Sequence, residues 1–294
     1  MTRSDAMFER GSKVVDIDKL RASRAMIVGL GASTCFAEPL VRAGLGAVVL
    51  VDHDVVELAN ISRQGHEVVG MPKVLSAKRR LQSINPELDV KAMQMKFSEE
   101  NSEVTDVAST CDILIFATDS FEAQAAGNRV SMRTAVPGVW VGVGQAAECG
   151  EVVWYIPGYH KDCMRCLLER RYLSWQPGGD PTSEGALFAD LQIVDGIAAH
   201  IAIAILTRGA ENYFGRMIDE FDGRQYLQIS LRSSFSINGS NPIRRRLGIA
   251  EDNSTHVTYC TRFERNGRRL APCADCQSIL GRTFDANELV AVEL

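Results

Sequence analysis

The feature that most constrains this chain is an alternation of short apolar runs with segments of helical period. The runs are 25–30 (AMIVGL), 47–52 (AVVLVD), 89–94, 112–117 (DILIFA), 138–143 and 150–156 (GEVVWYI). Between them, 32–43, 73–84, 103–110 and 121–133 read as helices. Val74, Ala77, Leu81 and Ile84 recur on one face at helical spacing, and Asn85-Pro86 stops that helix. This pattern predicts an α/β fold, a doubly wound sheet with parallel strands at its centre. The second half is less regular. Residues 172–188 read as a long exposed loop, 189–208 as a strongly apolar helix and 226–231 as a strand. Residues 1–20 read as a polar N-terminal arm, and 238–270 as a polar stretch with Arg244, Arg245 and Arg246 together.

Composition sets limits on partners. The chain has 294 residues, 46% hydrophobic and 23% charged, enough for one large domain or two modest ones. A net charge of −5 gives nucleic acid no bulk attraction, although Arg262, Arg265, Arg268 and Arg269 make the C-terminal stretch locally basic. The N-terminus carries no apolar signal-peptide core, and the most apolar run, 197–206, is short of the ~20 residues that span a bilayer. The expectation is a cytoplasmic protein without a membrane partner, in a compartment where regularly spaced cysteines bind metal or act in catalysis.

The first strand ends in Gly29-Leu30-Gly31, a turn that lets backbone N–H groups approach a phosphate at a helix N-terminus. Asp52 ends the next strand 21 residues after Gly31, where a carboxylate can accept ribose hydroxyls. Thr34 replaces the third glycine of the dinucleotide fingerprint. Beyond Asp52 come Asp54, Asn60, Arg63, Gln64 and then Lys73. Two cations beside a phosphate turn suit a triphosphate better than a dinucleotide, because nucleotidyl transfer has a charged leaving group to neutralise. Asp119 follows the fourth strand at the carboxyl edge, where ligands of such sheets collect and where a carboxylate can hold Mg²⁺. The competing readings are a ligand-free turn, an N-cap role for Asp119 on the helix from Phe121, and a surface ion pair for Arg63. Lys78 reads as a solvated helix face.

Eight cysteines demand explanation. Cys163-x-x-Cys166 and Cys273-x-x-Cys276 are two knuckles with 106 residues between them, a set that fits a closed tetrahedral Zn²⁺ site of structural type. Such a site ties the end of the chain to its middle and leaves no open position for catalysis. Cys35, Cys111 and Cys149 read as core, and Cys260 is left over.

The segment from Arg24 to about Arg171 resembles the ThiF/MoeB/HesA family, bacterial relatives of ubiquitin-activating enzymes. The residues that carry the resemblance are Gly29 and Gly31, Asp52 and Asp54, Asn60, Arg63-Gln64, Gly70-x-Pro72-Lys73, Asn85-Pro86 and Asp119. It implies a Rossmann-like mixed sheet with a crossover loop at roughly 172–190, and one adenylation domain over 21–294. The nucleotide-binding half would be 21–160 and the substrate and zinc half 161–294. It implies ATP-dependent adenylation of the C-terminal carboxylate of a small ubiquitin-like or sulfur-carrier protein. Asp52 would bind the ribose; Asn60, Arg63 and Lys73 would contact the phosphates; Asp119 would hold Mg²⁺. It further implies a homodimer, with Arg10 or Arg3 reaching the phosphates from the arm, and a downstream thiol acceptor protein. The crossover segment has no cysteine, so the chemistry would stop at the acyl-adenylate, with Cys260 the remaining candidate for an unconventional thioester. Alternatives are a short peptide or a tRNA-linked carboxylate as substrate, or a non-catalytic subunit beside an active paralogue.

Overall fold

The computed structural model describes residues 3–31, 34–65, 68–176, 186–232, 259–262 and 272–282. Among these residues, eight strands form one sheet in the order β3-β2-β1-β4-β5-β6-β7-β8. They are β1 (Arg24–Val28), β2 (Ala47–Val51), β3 (Asp89–Met93), β4 (Ile113–Phe116), β5 (Gly138–Val143), β6 (Cys149–Tyr155), β7 (Tyr226–Ser230) and β8 (Tyr259–Arg262). The first five in spatial order run parallel. The pairs β5–β6, β6–β7 and β7–β8 are antiparallel, so the sheet is mixed and Rossmann-like.

The order reverses between β1 and β4, which opens a crevice at the carboxyl edge between these two strands. β1, β2 and β4 are buried along most of their length on both faces, which is why they read as continuous apolar runs.

The α-helices among the described residues are α1 (Arg3–Phe8), α2 (Ile17–Ala22), α3 (Thr34–Ala43), α4 (Lys73–Ile84), α5 (Ser102–Ser109), α6 (Phe121–Thr134), α7 (Met164–Leu167), α8 (Glu169–Ser174), α9 (Phe188–Leu206), α10 (Tyr213–Glu220) and α11 (Ala274–Leu280). One core lies under α3, α4 and α9, and gathers Ile27, Phe36, Leu50, Leu81, Trp154 and Ile201. The other lies under α5, α6 and the cysteine knuckles, where Phe116 and Trp140 stack with ring centroids 5.7 Å apart. α9 is long and apolar enough to cross a membrane by length and composition, but 61% of it is buried in the protein. Helices apolar on nearly every side belong in a core, and α9 packs against α3, α10, β5 and β6.

The structure differs from the sequence reading at several points. Tyr172–Ser174 belongs to α8 rather than to a loop, because Tyr172 has the Phe121 ring to pack against, at 4.8 Å between centroids. β8 lies inside the stretch read only as polar. Residues 177–185, the heart of the predicted crossover loop, lie outside the described residues, as do Arg244–Arg246, Arg265, Arg268 and Arg269.

Candidate active site and cysteine cage

Gly29 and Asp52 follow β1 and β2 directly and Asp119 lies three residues past the end of β4, so the sheet brings all three to one carboxyl edge. Gly29 has φ +86°, and a Cβ there would come within 2.7 Å of the Ala117 carbonyl oxygen. Only glycine fits that close approach of two strand ends. Asp52 is buried, and its two oxygens accept from Leu30 N at 2.6 Å and Asp54 N at 2.8 Å. The carboxylate therefore fixes the glycine turn. Each oxygen keeps a second lone pair for an incoming hydroxyl.

Asn60 and Gln64 are buried in the segment that follows. Asn60 Oδ1 accepts from Glu57 N at 2.9 Å, and Gln64 N donates to Asn60 O at 2.7 Å. Gln64 lies under the turn, its Nε2 3.4 Å from where a Cβ on Gly31 would stand. Its Oε1 is buried without a hydrogen-bond partner among the described residues. Arg63 is half-buried.

Lys73 begins α4. Its side chain is 8% exposed and Nζ lies 2.9 Å from Asp54 Oδ2. Burial raises the Asp54 carboxyl, but the hydrogen bond and charge of Lys73, with His53 and Lys96 beyond, outweigh it and hold the group below the ordinary carboxylate range. The Lys73–Asp54 pair thus presents a fixed, ionised couple at the same edge.

Asp119 is exposed. The N-cap of α6 is Ser120, whose Oγ accepts from Ala123 N at 3.3 Å. The capping alternative for Asp119 is thereby removed, and its carboxylate stands open beside the crevice. Arg10 is exposed and lies elsewhere. Phe8 packs beside Gly44, at the turn that leads into β2. This places Arg10 toward the amino edge, a strand length of about 16 Å from the carboxyl edge.

The four knuckle cysteines meet as the spacing predicts. All are buried, with sulfur separations of 3.5 Å (Cys163–Cys273), 3.7 Å (Cys166–Cys276) and 3.9 Å (Cys163–Cys166). A tetrahedron with Zn–S bonds of ≈ 2.3 Å has edges of about 3.8 Å, so the donor set fits Zn²⁺. Around it lie residues that sequence reasoning did not single out: Asn128 on α6, Arg165, and Asp275 between the second pair of ligands. The spacing of Asp275 inside the second knuckle was a signal; that of Asn128 was not.

The other cysteines divide as expected where their side chains are described. Burial pushes the Cys111 thiol up to about 12, and burial with Glu151 and Glu148 pushes Cys149 to about 11, so both are poor nucleophiles. Cys260 lies on β8 opposite Ile229, four strand spacings or about 19 Å from β4.

The ThiF family model matches residues 5–234, and the chain belongs to this family. It is 36% identical over 160 residues to the sulfur carrier protein ThiS adenylyltransferase of Bacillus subtilis, covering 51% of this chain and 45% of that protein. It is 32% identical over 220 residues to the molybdopterin-synthase adenylyltransferase of Haemophilus influenzae, covering 71% of this chain and 87% of that protein. The chain therefore spans less than half of the first relative and most of the second. E. coli MccB solved with ATP shares the fold at a TM-score of 0.60 and 19% identity, over 76% of this chain and 65% of that one.

Proposed function

We propose that the chain is an ATP-dependent adenylyltransferase that activates the C-terminal carboxylate of a small ubiquitin-like or sulfur-carrier protein as an acyl-adenylate. The observation that carries this reading is the convergence of the glycine turn, Asp52, the Lys73–Asp54 couple and the open Asp119 carboxylate at one sheet edge. The named relatives supply the reaction class.

A carboxylate oxygen attacks the α-phosphorus in line, the new O–P bond forms, and the bond to the pyrophosphate oxygen breaks. No general base is required, because a carboxylate is ionised at pH 7. Asp52 receives the ribose hydroxyls on its remaining lone pairs. Asn60, Arg63 and Lys73 contact the phosphates, with Gln64 and Gly31 beneath the turn, and the two cations offset charge on the leaving pyrophosphate. When Mg²⁺ is bound, Asp119 would hold it and the ion would supply further charge neutralisation. Zn²⁺ in the cysteine cage would be structural.

The protein would act in the cytoplasm as a homodimer, the arrangement in which an arm arginine such as Arg10 can reach the phosphates of the partner subunit. The acyl-adenylate would pass to a thiol, persulfide or amine on another protein. The distance of Cys260 from β4 supports release of the adenylate over a thioester on this chain.

The test is carrier-dependent exchange of labelled pyrophosphate into ATP. Asp119→Ala should lower the rate by at least about 10²-fold, with the melting temperature held, since the residue is exposed. Exchange at the wild-type rate in this variant would overturn the assignment.

A further inference from the structure

Asn128 is wholly buried on α6, and its side-chain amide is engaged on both ends. Its Oδ1 accepts from Met164 N at 3.0 Å. Its Nδ2 donates to Asp275 Oδ2 at 2.8 Å and faces Cys163 Sγ at 3.6 Å. Asp275 is itself buried, and its other oxygen accepts from Arg165 Nη1 at 2.7 Å. Met164 and Arg165 lie between Cys163 and Cys166; Asp275 lies between Cys273 and Cys276. One amide on a third element therefore touches both knuckles.

α6 is firmly seated where this happens. A Cβ on Gly127 would come within 2.3 Å of the Phe116 ring, so the helix lies directly on β4. The same helix starts at Ser120, next to Asp119. A buried amide in the middle of a helix that packs on an apolar strand is costly unless its polar atoms are satisfied, and here the oxygen and nitrogen partners come from the cage region, with Met132 Sδ on α6 a weaker acceptor 3.5 Å from Nδ2.

We propose that Asn128 is the outer-sphere clamp of the metal cage: a positioning residue that seats both cysteine knuckles on α6 and tempers the Cys163 thiolate by donating an N–H to its sulfur. This rests on the zinc reading of the four cysteines. Outer-shell partners of metal ligands fix ligand orientation, and losing one typically costs 10–100-fold in metal affinity or activity. Asp275 extends the clamp, holding Arg165 across the gap so that the two knuckles stay joined through side chains as well as through the metal.

The experiment uses the full chain loaded with Zn²⁺, with metal content measured first, and compares Asn128→Asp, Asp275→Asn and the double exchange. Asn128→Asp conserves shape but removes the donor to Cys163 and sets a carboxylate against Asp275. It should release Zn²⁺ to a chromogenic chelator about 10–100-fold faster than wild type. The double exchange should recover much of that loss, because the swapped amide and carboxylate can still hydrogen-bond across the same gap. In Co²⁺-substituted protein the thiolate-to-cobalt band should move to lower energy in both proteins that carry N128D, because the N–H donor to Cys163 is gone in each. If Asn128→Asp is insoluble, Asn128→Ser is measured for the same release rate and band. A wild-type chain that takes up no metal overturns the zinc reading and this inference with it. A loaded wild type whose Asn128 variant matches it in release rate and in the cobalt band overturns the inference alone.

Discussion

The open carboxyl edge of the sheet and the cysteine cage on α6 solve opposite problems with the same kinds of residue. At the carboxyl edge of β1, β2 and β4, the polar groups are left with capacity to spare. Asp52 uses one lone pair per oxygen, Gln64 Oε1 has no partner among the described residues, and Asp119 faces solvent. At the cysteine cage, seated on α6, the polar groups are closed on one another: Asn128, Asp275 and Arg165 bond among themselves and to the knuckles. In these two regions the open polar groups lie where the proposed function places a ligand, whereas the closed ones lie where the fold is being held. In this account the first region carries activity and the second carries stability.

The sharpest way to break that comparison is to open the cage. Cys273→Ser should lose the metal and about 5 kcal/mol of stability, lowering the melting temperature by about 10–20 °C in calorimetry. Dialysis of the wild type against a chelator should give a similar fall and leave the variant unchanged. If the variant melts with the wild type, the cage does not hold the fold.

A smaller effect should run the other way. Asp195 is buried in α9, its Oδ2 has no partner among the described residues, and desolvation raises its pKa well above the ordinary value. A carboxyl whose folded pKa is raised is stabilising only while protonated, so stability is lost as pH rises above its unfolded value near 3.9. Asp195→Leu should therefore raise stability at pH 7 by about 1–3 kcal/mol, read as a melting temperature about 2–8 °C higher. A lower melting temperature would show that the carboxyl has a partner outside the described residues.

The smallest effect concerns His160. Burial, and then the charge of Arg208, lower its pKa to about 4, and Nδ1 accepts from Ile156 N at 2.9 Å. The folded state resists a proton that the unfolded chain takes up near pH 6.5, so stability should decline from about pH 6.5 down to about pH 4 and level off below. In His160→Gln, urea midpoints should fall less over that window. An unchanged slope would place the acid sensitivity elsewhere.

Much of this was legible from the residues alone, for physical reasons. The strand ends were clear because β1, β2 and β4 are buried on both faces and each is followed within three residues by a residue the site uses. The knuckles were clear because Cys-x-x-Cys is local geometry written in sequence. What stayed hidden depends on contacts across the fold. Asn128 is an ordinary helix residue until Asp275, 147 positions later, is brought beside it. β8 is polar in sequence because its strand character comes from pairing with β7. Arg10 could be proposed but not placed, since nothing in the sequence says that Phe8 anchors the arm beside Gly44.

The central claim is that the open edge makes an acyl-adenylate. Mass spectrometry of a Gly-Gly-ended carrier protein incubated with the chain, ATP and Mg²⁺ tests it most directly. The expected result is a carrier heavier by one adenylyl group, stoichiometric release of pyrophosphate, and neither product with Asp119→Ala. ATP cleaved to ADP and phosphate, with the carrier mass unchanged, would contradict it.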